Sequence, residues 1–451
     1  TSSPSLSSST DTGKATSAST LALPTYPEGG TRAWFVVFGA WCGLTASIGI
    51  YNSTGVFSII LSSVLPSASS SSIGWIFSSY AFVVWGTGVW VGPCFDVFGC
   101  RGLMVAGMVC TVCGIFGLGF CSEYYQLFLA FSLLTGLGSS LLLTPSMACV
   151  AHWFNTRRGL ASGIAWTGGG VGGILFPLLI QAVLPRLGWQ WSIRIVGFVL
   201  LALCILSICF CRSRLAPPIT KQGTSVWRAT LPDYRIFVDG TGVMAVTTAG
   251  TLFTDLAYFV PITYLPAYYL ARQQQSQTSD KSDVTGFGYQ LLAILNGSSC
   301  LGRLTSGLLG DRFGHYNTMI VSLLFCCISV LCFWIPDICS PHLDTPALLY
   351  IFVILFGFVS GSNVSLTPIC LGQLCGINDY GRYYASCYTV VAFGVLISLP
   401  AAGGILDAVE AQGKKQYWGV AMFTGLSYVT ALSCFVWVRV RVKGWNWRVK
   451  W

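Results

Sequence analysis

Charge is scarce in this chain. Asp, Glu, Lys and Arg together make up 9% of its 451 residues, against 54% apolar residues, a balance that suits lipid rather than a soluble core. Histidine is scarcer still: His152, His315 and His342 are the three present. They form no pair at metal-ligand spacing and no nucleophile motif accompanies them, so neither a metal centre nor a catalytic site is expected. No Walker sequence occurs either. The run Gly168-Gly169-Gly170-Val171-Gly172-Gly173 lacks the Gly-Lys-Ser/Thr ending of a phosphate loop and lies in an apolar stretch, where small residues serve close helix packing. Direct use of ATP is not expected, and no cofactor is. The 19 cysteines sit mostly as singletons in apolar runs, as Cys110, Cys204 and Cys326 do, and membrane packing accounts for them better than redox or metal chemistry. No signal-peptide pattern is visible, since the first long apolar run begins after residue 32.

What is present is twelve stretches long enough to cross a hydrocarbon core of roughly 30 Å. They fall near 33–57, 72–95, 102–121, 125–152, 158–184, 189–211, 237–264, 287–309, 316–335, 347–371, 381–404 and 417–438. Two segments copy each other at long range. Gly138-Ser139-Ser140-Leu141-Leu142-Leu143-Thr144-Pro145 returns as Gly361-Ser362-Asn363-Val364-Ser365-Leu366-Thr367-Pro368, and Gly92…Asp96-Val97-Phe98-Gly99 returns as Gly307…Asp311-Arg312-Phe313-Gly314. The expected fold is therefore an all-α membrane protein, twelve transmembrane helices in two pseudo-symmetric six-helix bundles. Two similar halves can rock about a site between them, which is alternating access. The expected division is a disordered tail over 1–27, an N-terminal bundle over 28–211, a linker over 212–236, a C-terminal bundle over 237–440 and a basic-aromatic tail over 441–451.

Charge also orients the chain. With a cytoplasmic N-terminus, seventeen of the 24 Lys and Arg lie on the inner side and five, Arg186, Arg272, Lys281, Lys414 and Lys415, on the outer. That bias predicts both termini in the cytoplasm. It also makes 271–286 an outer loop. Trp445, Trp447 and Trp451 alternate with Lys443, Arg448 and Lys450 directly after the last span; this pattern fits an anchor at an anionic leaflet better than a nucleic-acid site. Membrane lipid is thus the expected partner, with no nucleic acid and no obligate protein.

An ionisable group inside a span is costly and marks function. Arg303 lies well inside the eighth span, ~12 Å from its inner end at 1.5 Å per residue. Asn296, Ser299, Arg303, Ser306 and Gly310 share one helical stripe, expected to line a wet cavity. A guanidinium there suits a carboxylate substrate through paired charge-assisted hydrogen bonds; the competing role is to brace the loop near Asp311. Asp255, in the seventh span, is the candidate proton carrier, because desolvation favours the neutral form of a carboxyl. Its expected depth differs from that of Arg303 by roughly 9 Å, too much for an ion pair. Packing or outer-gate hydrogen bonding is the other role open to it. Further cavity candidates are Tyr51 and Asn52, Thr167, Tyr258, Asn363 and Tyr388. Arg194, beside Trp189 and Trp191, is expected to anchor the interface.

The Asp-x-Phe-Gly segments resemble the loop signature of the major facilitator superfamily, with Val97 where a basic residue is usual. Two more segments resemble its monocarboxylate porter family, fungal members in particular: Pro27-Glu28-Gly29-Gly30-Thr31-Arg32-Ala33-Trp34 and Trp153-Phe154-Asn155-Thr156-Arg157-Arg158-Gly159-Leu160-Ala161-Ser162-Gly163. The resemblance spans 28–440 and implies movement of small organic acids, often with a proton, with a carboxylate-binding Arg in the eighth span. Animal members carry an Asp one turn before that Arg; here the position holds Ser299. Glu28, Arg32, Asp96, Arg157, Arg158, Asp311 and Arg312 are expected to hold gate conformations rather than touch substrate. The expected function is secondary transport of a small organic anion across the plasma membrane, or a vacuolar or other internal one. Efflux of an internally made metabolite and a non-transporting nutrient sensor are the alternatives, and the short tails weigh against the sensor.

Overall fold

The computed structural model describes residues 29–66, 68–154, 157–214, 234–238, 240–276, 281–339, 347–375, 380–410, 417–445 and 451. Among these, every regular element is helical, as lipid demands of a backbone that must satisfy its own hydrogen bonds. Among the described residues ten helices are long and apolar enough to cross a membrane. One of them, Arg158–Phe210, has 53 residues, about 80 Å of helix and too long for one crossing. It breaks at Gly188, whose φ of 73° only glycine adopts freely, and folds back. Its first limb sets Gly168 and Gly172 against Trp41 and Gly49, whereas its second sets Phe210 and Ser207 against Gly39 and Gly43, so the limbs run in opposite directions along the first span. Lys281–Phe313 is also long enough, although its polar residues leave it less apolar than the ten. Twelve crossings result among the described residues.

The expected elements are present, with shifted ends. The first span is Thr31–Tyr51, interrupted at Asn52-Ser53 and continued by Thr54–Val64. The seventh begins at Val243 rather than near 237, after a separate turn at Tyr234–Phe237, and runs to Ser276. With the eighth starting at Lys281, the polar outer loop expected over 271–286 is mostly helix. Hydropathy alone cannot see a polar helix end that extends beyond the lipid. The duplicated motifs occupy matching places. Gly99, at φ 74°, and Gly314, at φ 96°, make the tight turns after the second and eighth spans, and Thr144-Pro145 and Thr367-Pro368 lie within the fourth and tenth. At the end of the chain, Trp451 stacks on Tyr316 with centroids 3.9 Å apart, against the protein rather than only toward lipid. Arg194 sits over the rings of Trp191 and Phe120, at 5.0 and 5.6 Å.

The halves meet along the first, second and fifth spans on one side and the seventh, eighth and eleventh on the other. Contact is tightest at the end remote from the chain termini. There Thr54 Oγ1 lies 3.2 Å from Thr263 Oγ1, Ser71 Oγ donates to the Pro400 carbonyl at 3.1 Å, and the Leu399 N–H donates to Ser78 Oγ at 3.3 Å. A Cβ on Gly74 would meet the Leu399 carbonyl oxygen at 2.9 Å. Toward the terminus end the fit loosens: a Cβ on Gly86 would find Ala392 at 3.8 Å, and one on Gly92 nothing within 4 Å.

Candidate functional site

The glycine run 168–173 is the bed on which the eighth span lies. A Cβ on Gly163 would stand 3.3 Å from the Arg303 carbonyl oxygen, and one on Gly169 3.3 Å from Arg303 Nη1. The opposite edge of the run, Gly168 and Gly172, packs on the first span. Glycine at these positions lets three backbones approach and leaves room for a guanidinium between the halves.

Arg303 is fully buried. Its Nη1 donates to the Trp166 carbonyl and its Nη2 to Tyr258 Oη at 3.3 Å, while Nε has no partner among the described residues. Among the described residues it forms no ion pair. It borders a cavity between the halves, together with Tyr51 and Asn52 of the first span, Asp255 and Tyr258 of the seventh and Tyr388 of the eleventh. Asp255, 8% exposed, thus shares a cavity with Arg303 although the two make no ion pair. The remaining wall is apolar: Ile48, Trp85, Trp166, Phe259 and Val364. The free volume in this conformation is about 20 Å³, room for a water and not for an organic molecule.

The other polar candidates fall elsewhere. Of the expected stripe on the eighth span, Arg303 alone borders the cavity. Asn296 ties the halves together, its Nδ2 donating to the Gly173 carbonyl at 3.2 Å and the Asn52 carbonyl at 3.4 Å. Ser299 faces Gly361, and Ser306 Oγ meets Ser365 Oγ at 2.8 Å. A helix wedged between the fifth and tenth spans spends most of one stripe on packing. Thr167 receives the Trp41 indole N–H at 3.2 Å, and Asn363 donates to Cys326 Sγ at 3.3 Å; neither borders the cavity. Asn52 Nδ2 donates to the Gly169 carbonyl at 3.0 Å, while its Oδ1 and the Tyr51 hydroxyl have no partner among the described residues.

At the terminus end, Glu28 and the side chains of Asp96 and Arg158 lie outside the described residues. Arg32 and Arg157 are exposed. Asp311 pairs with His315 at 3.3 Å and faces the start of the fifth span, where a Cβ on Gly159 would lie 3.7 Å from both carboxylate oxygens. Arg312 lies 5.6 Å from the Phe313 ring centroid. Among the described residues Arg303 and Asp311 form no ion pair.

Trp85, Trp166 and Phe259 were not foreseen as cavity residues. A tryptophan in an apolar span has no periodic signature to separate a cavity wall from helix packing.

Two pseudo-repeated six-helix bundles around a central buried cavity define a membrane carrier. The family model for the Major Facilitator Superfamily matches residues 33–304 and 247–450. The chain belongs to the major facilitator superfamily. It is 34% identical over 442 residues to "Riboflavin transporter MCH5" of Saccharomyces cerevisiae, covering 94% of this chain and 81% of that protein. It is 33% identical over 383 residues to "Fujikurins efflux protein" of Gibberella fujikuroi, covering 84% and 77%, and 31% identical over 406 residues to "Aspyridones efflux protein apdF" of Emericella nidulans, covering 89% and 78%. In fold it is similar to the nucleoside transporter NupG, with a TM-score of 0.68 at 12% identity over 90% of this chain and 98% of that one. A D-xylose-proton symporter gives a TM-score of 0.67 at 14% identity, over 88% and 96%. These two show shared architecture alone. The protein is an integral multi-pass membrane transporter of the facilitator type.

Proposed function

We propose that the protein is a secondary carrier of a small organic anion, of the monocarboxylate-porter kind, with Arg303 as the counter-charge. The observation that carries this reading is a fully buried guanidinium at a cavity wall that, among the described residues, has one N–H unpartnered and no carboxylate paired to it. Such a group is costly in lipid unless an anion visits it. Asp255 on the same wall supports proton coupling. With Asp255 ionised the two charges cancel; with Asp255 neutral the cavity is net positive and favours an anion. Binding of anion and proton then reinforce one another. The charge bias of the loops supports cytoplasmic termini; the membrane proposed is the plasma membrane, with a vacuolar or other internal one as the alternative.

Export of a metabolite made inside the cell is the second reading, favoured by relatives named as efflux proteins. The same cavity serves either direction. The test is flux of radiolabelled acids and of riboflavin in ATP-free proteoliposomes, with and without a pH gradient. Gradient-responsive movement of an acid supports the proposal. Movement of riboflavin alone, or a strict need for ATP, overturns it.

A further inference from the structure

Trp85, Trp166 and Tyr388 bring three aromatic rings together on the cavity wall. Trp85 of the second span lies 5.2 Å from Tyr388 of the eleventh at an interplanar angle of 30°, and 6.5 Å from Trp166 of the fifth at 22°. Tyr384 extends the set, 4.4 Å from Tyr388. Trp166 also supplies the carbonyl that holds Arg303 Nη1, so the ring set and the guanidinium are fixed to each other. Three near-parallel rings from three spans, on a cavity wall beside a buried cation, form a platform for something flat.

The Trp85–Tyr388 pair crosses the boundary between the halves. With a free volume of about 20 Å³ nothing but water fits, so substrate enters only when the halves part. Parting uncovers one face of Trp85. We propose that the transported anion is a flat aromatic or heteroaromatic acid, whose ring takes the face of Trp85 that Tyr388 covers here while its acidic edge meets Arg303. A short aliphatic acid would leave that ring face without a partner. This inference rests on the anion reading above and narrows it to a substrate class, with Trp85 as the specificity-determining residue.

The test compares 2-naphthoate with its fully saturated analogue, decahydronaphthalene-2-carboxylate, by calorimetric titration of the purified full chain. Both carry one carboxylate on a fused two-ring frame. The saturated frame is at least as hydrophobic, so burial alone does not favour the flat acid. Stacking predicts that 2-naphthoate binds about three- to tenfold more tightly. Trp85→Phe should keep that ratio, and Trp85→Leu should bring it to about one, whatever happens to either affinity singly. Equal or tighter binding of the saturated acid overturns the flat-ring inference and leaves the anion reading standing. Failure of both acids to bind also overturns the flat-ring inference, and the anion reading is then decided by the flux test above. The wild-type ratio decides even if Trp85→Leu does not fold.

Discussion

Arg303 and Asp255 show what a residue-level reading of the sequence can and cannot reach. Both were legible, because a charge inside an apolar run needs a reason. Helical rise sets them roughly 9 Å apart in depth, too far for an ion pair, and among the described residues they form none; that both border one cavity was not legible. The partners Arg303 uses, the Trp166 carbonyl and Tyr258 Oη, come from other spans and leave no trace in the local pattern. If Asp255 carries the proton, Asp255→Asn fixes the neutral state. Anion binding by this variant should then persist and lose its weakening as pH rises, since no carboxylate remains to ionise. Accumulation driven by a pH gradient should disappear while exchange of labelled for unlabelled anion continues. Calorimetry across pH together with gradient-driven uptake measures both, and undiminished proton-driven accumulation would remove Asp255 from the coupling.

At the level of elements, the spans themselves were legible from hydropathy and their ends were not. The helix that carries Arg303 begins at Lys281 rather than near 287, in a polar stretch that hydropathy does not mark. The glycine run 168–173 was correctly separated from a phosphate loop, but its two-sided use, the first span on one edge and the eighth on the other, depends on packing that no motif encodes. A Cβ on Gly172 would stand 2.8 Å from the Thr45 carbonyl oxygen, and backbone cannot step aside as a side chain can. Gly172→Val should therefore destabilise the N-terminal bundle by about 1–3 kcal/mol, read as a lower unfolding midpoint in detergent. Gly404→Ala, with nothing within 4 Å of the added carbon, should leave that midpoint nearly unchanged. Equal midpoints for wild type and Gly172→Val would show that the first and fifth spans are less closely packed than described.

For the whole molecule, the repeated motifs made the two-bundle design legible, and the matching turns at Gly99 and Gly314 bear it out. Which end is closed was not legible, because contact between halves is a property of a state and not of a sequence. Here the end remote from the termini is shut, with Thr54 and Thr263 hydroxyls 3.2 Å apart across the boundary. Transport by rocking requires that pair to separate in each cycle. Cysteines introduced together at Thr54 and Thr263 should crosslink under oxidation and stop flux, with recovery on reduction, while each single variant continues to transport. Full flux in the crosslinked protein would rule out opening at this end.

The central claim is that Arg303 is the charge an organic anion meets between the halves, and ATP-free proteoliposomes test it most directly. Uptake of whichever labelled acid the wild type moves is compared with uptake by Arg303→Gln and Arg303→Lys, at matched protein content and with matched size-exclusion profiles. Loss of the buried partner of an anion costs about 2–5 kcal/mol, so Arg303→Gln should show no measurable uptake at substrate levels that saturate the wild type. Arg303→Lys keeps the charge but not the planar fork, and should retain transport with weakened affinity. Equal uptake by the wild type and a well-folded Arg303→Gln protein would contradict the account, removing both Arg303 from the site and the reason for an anionic substrate.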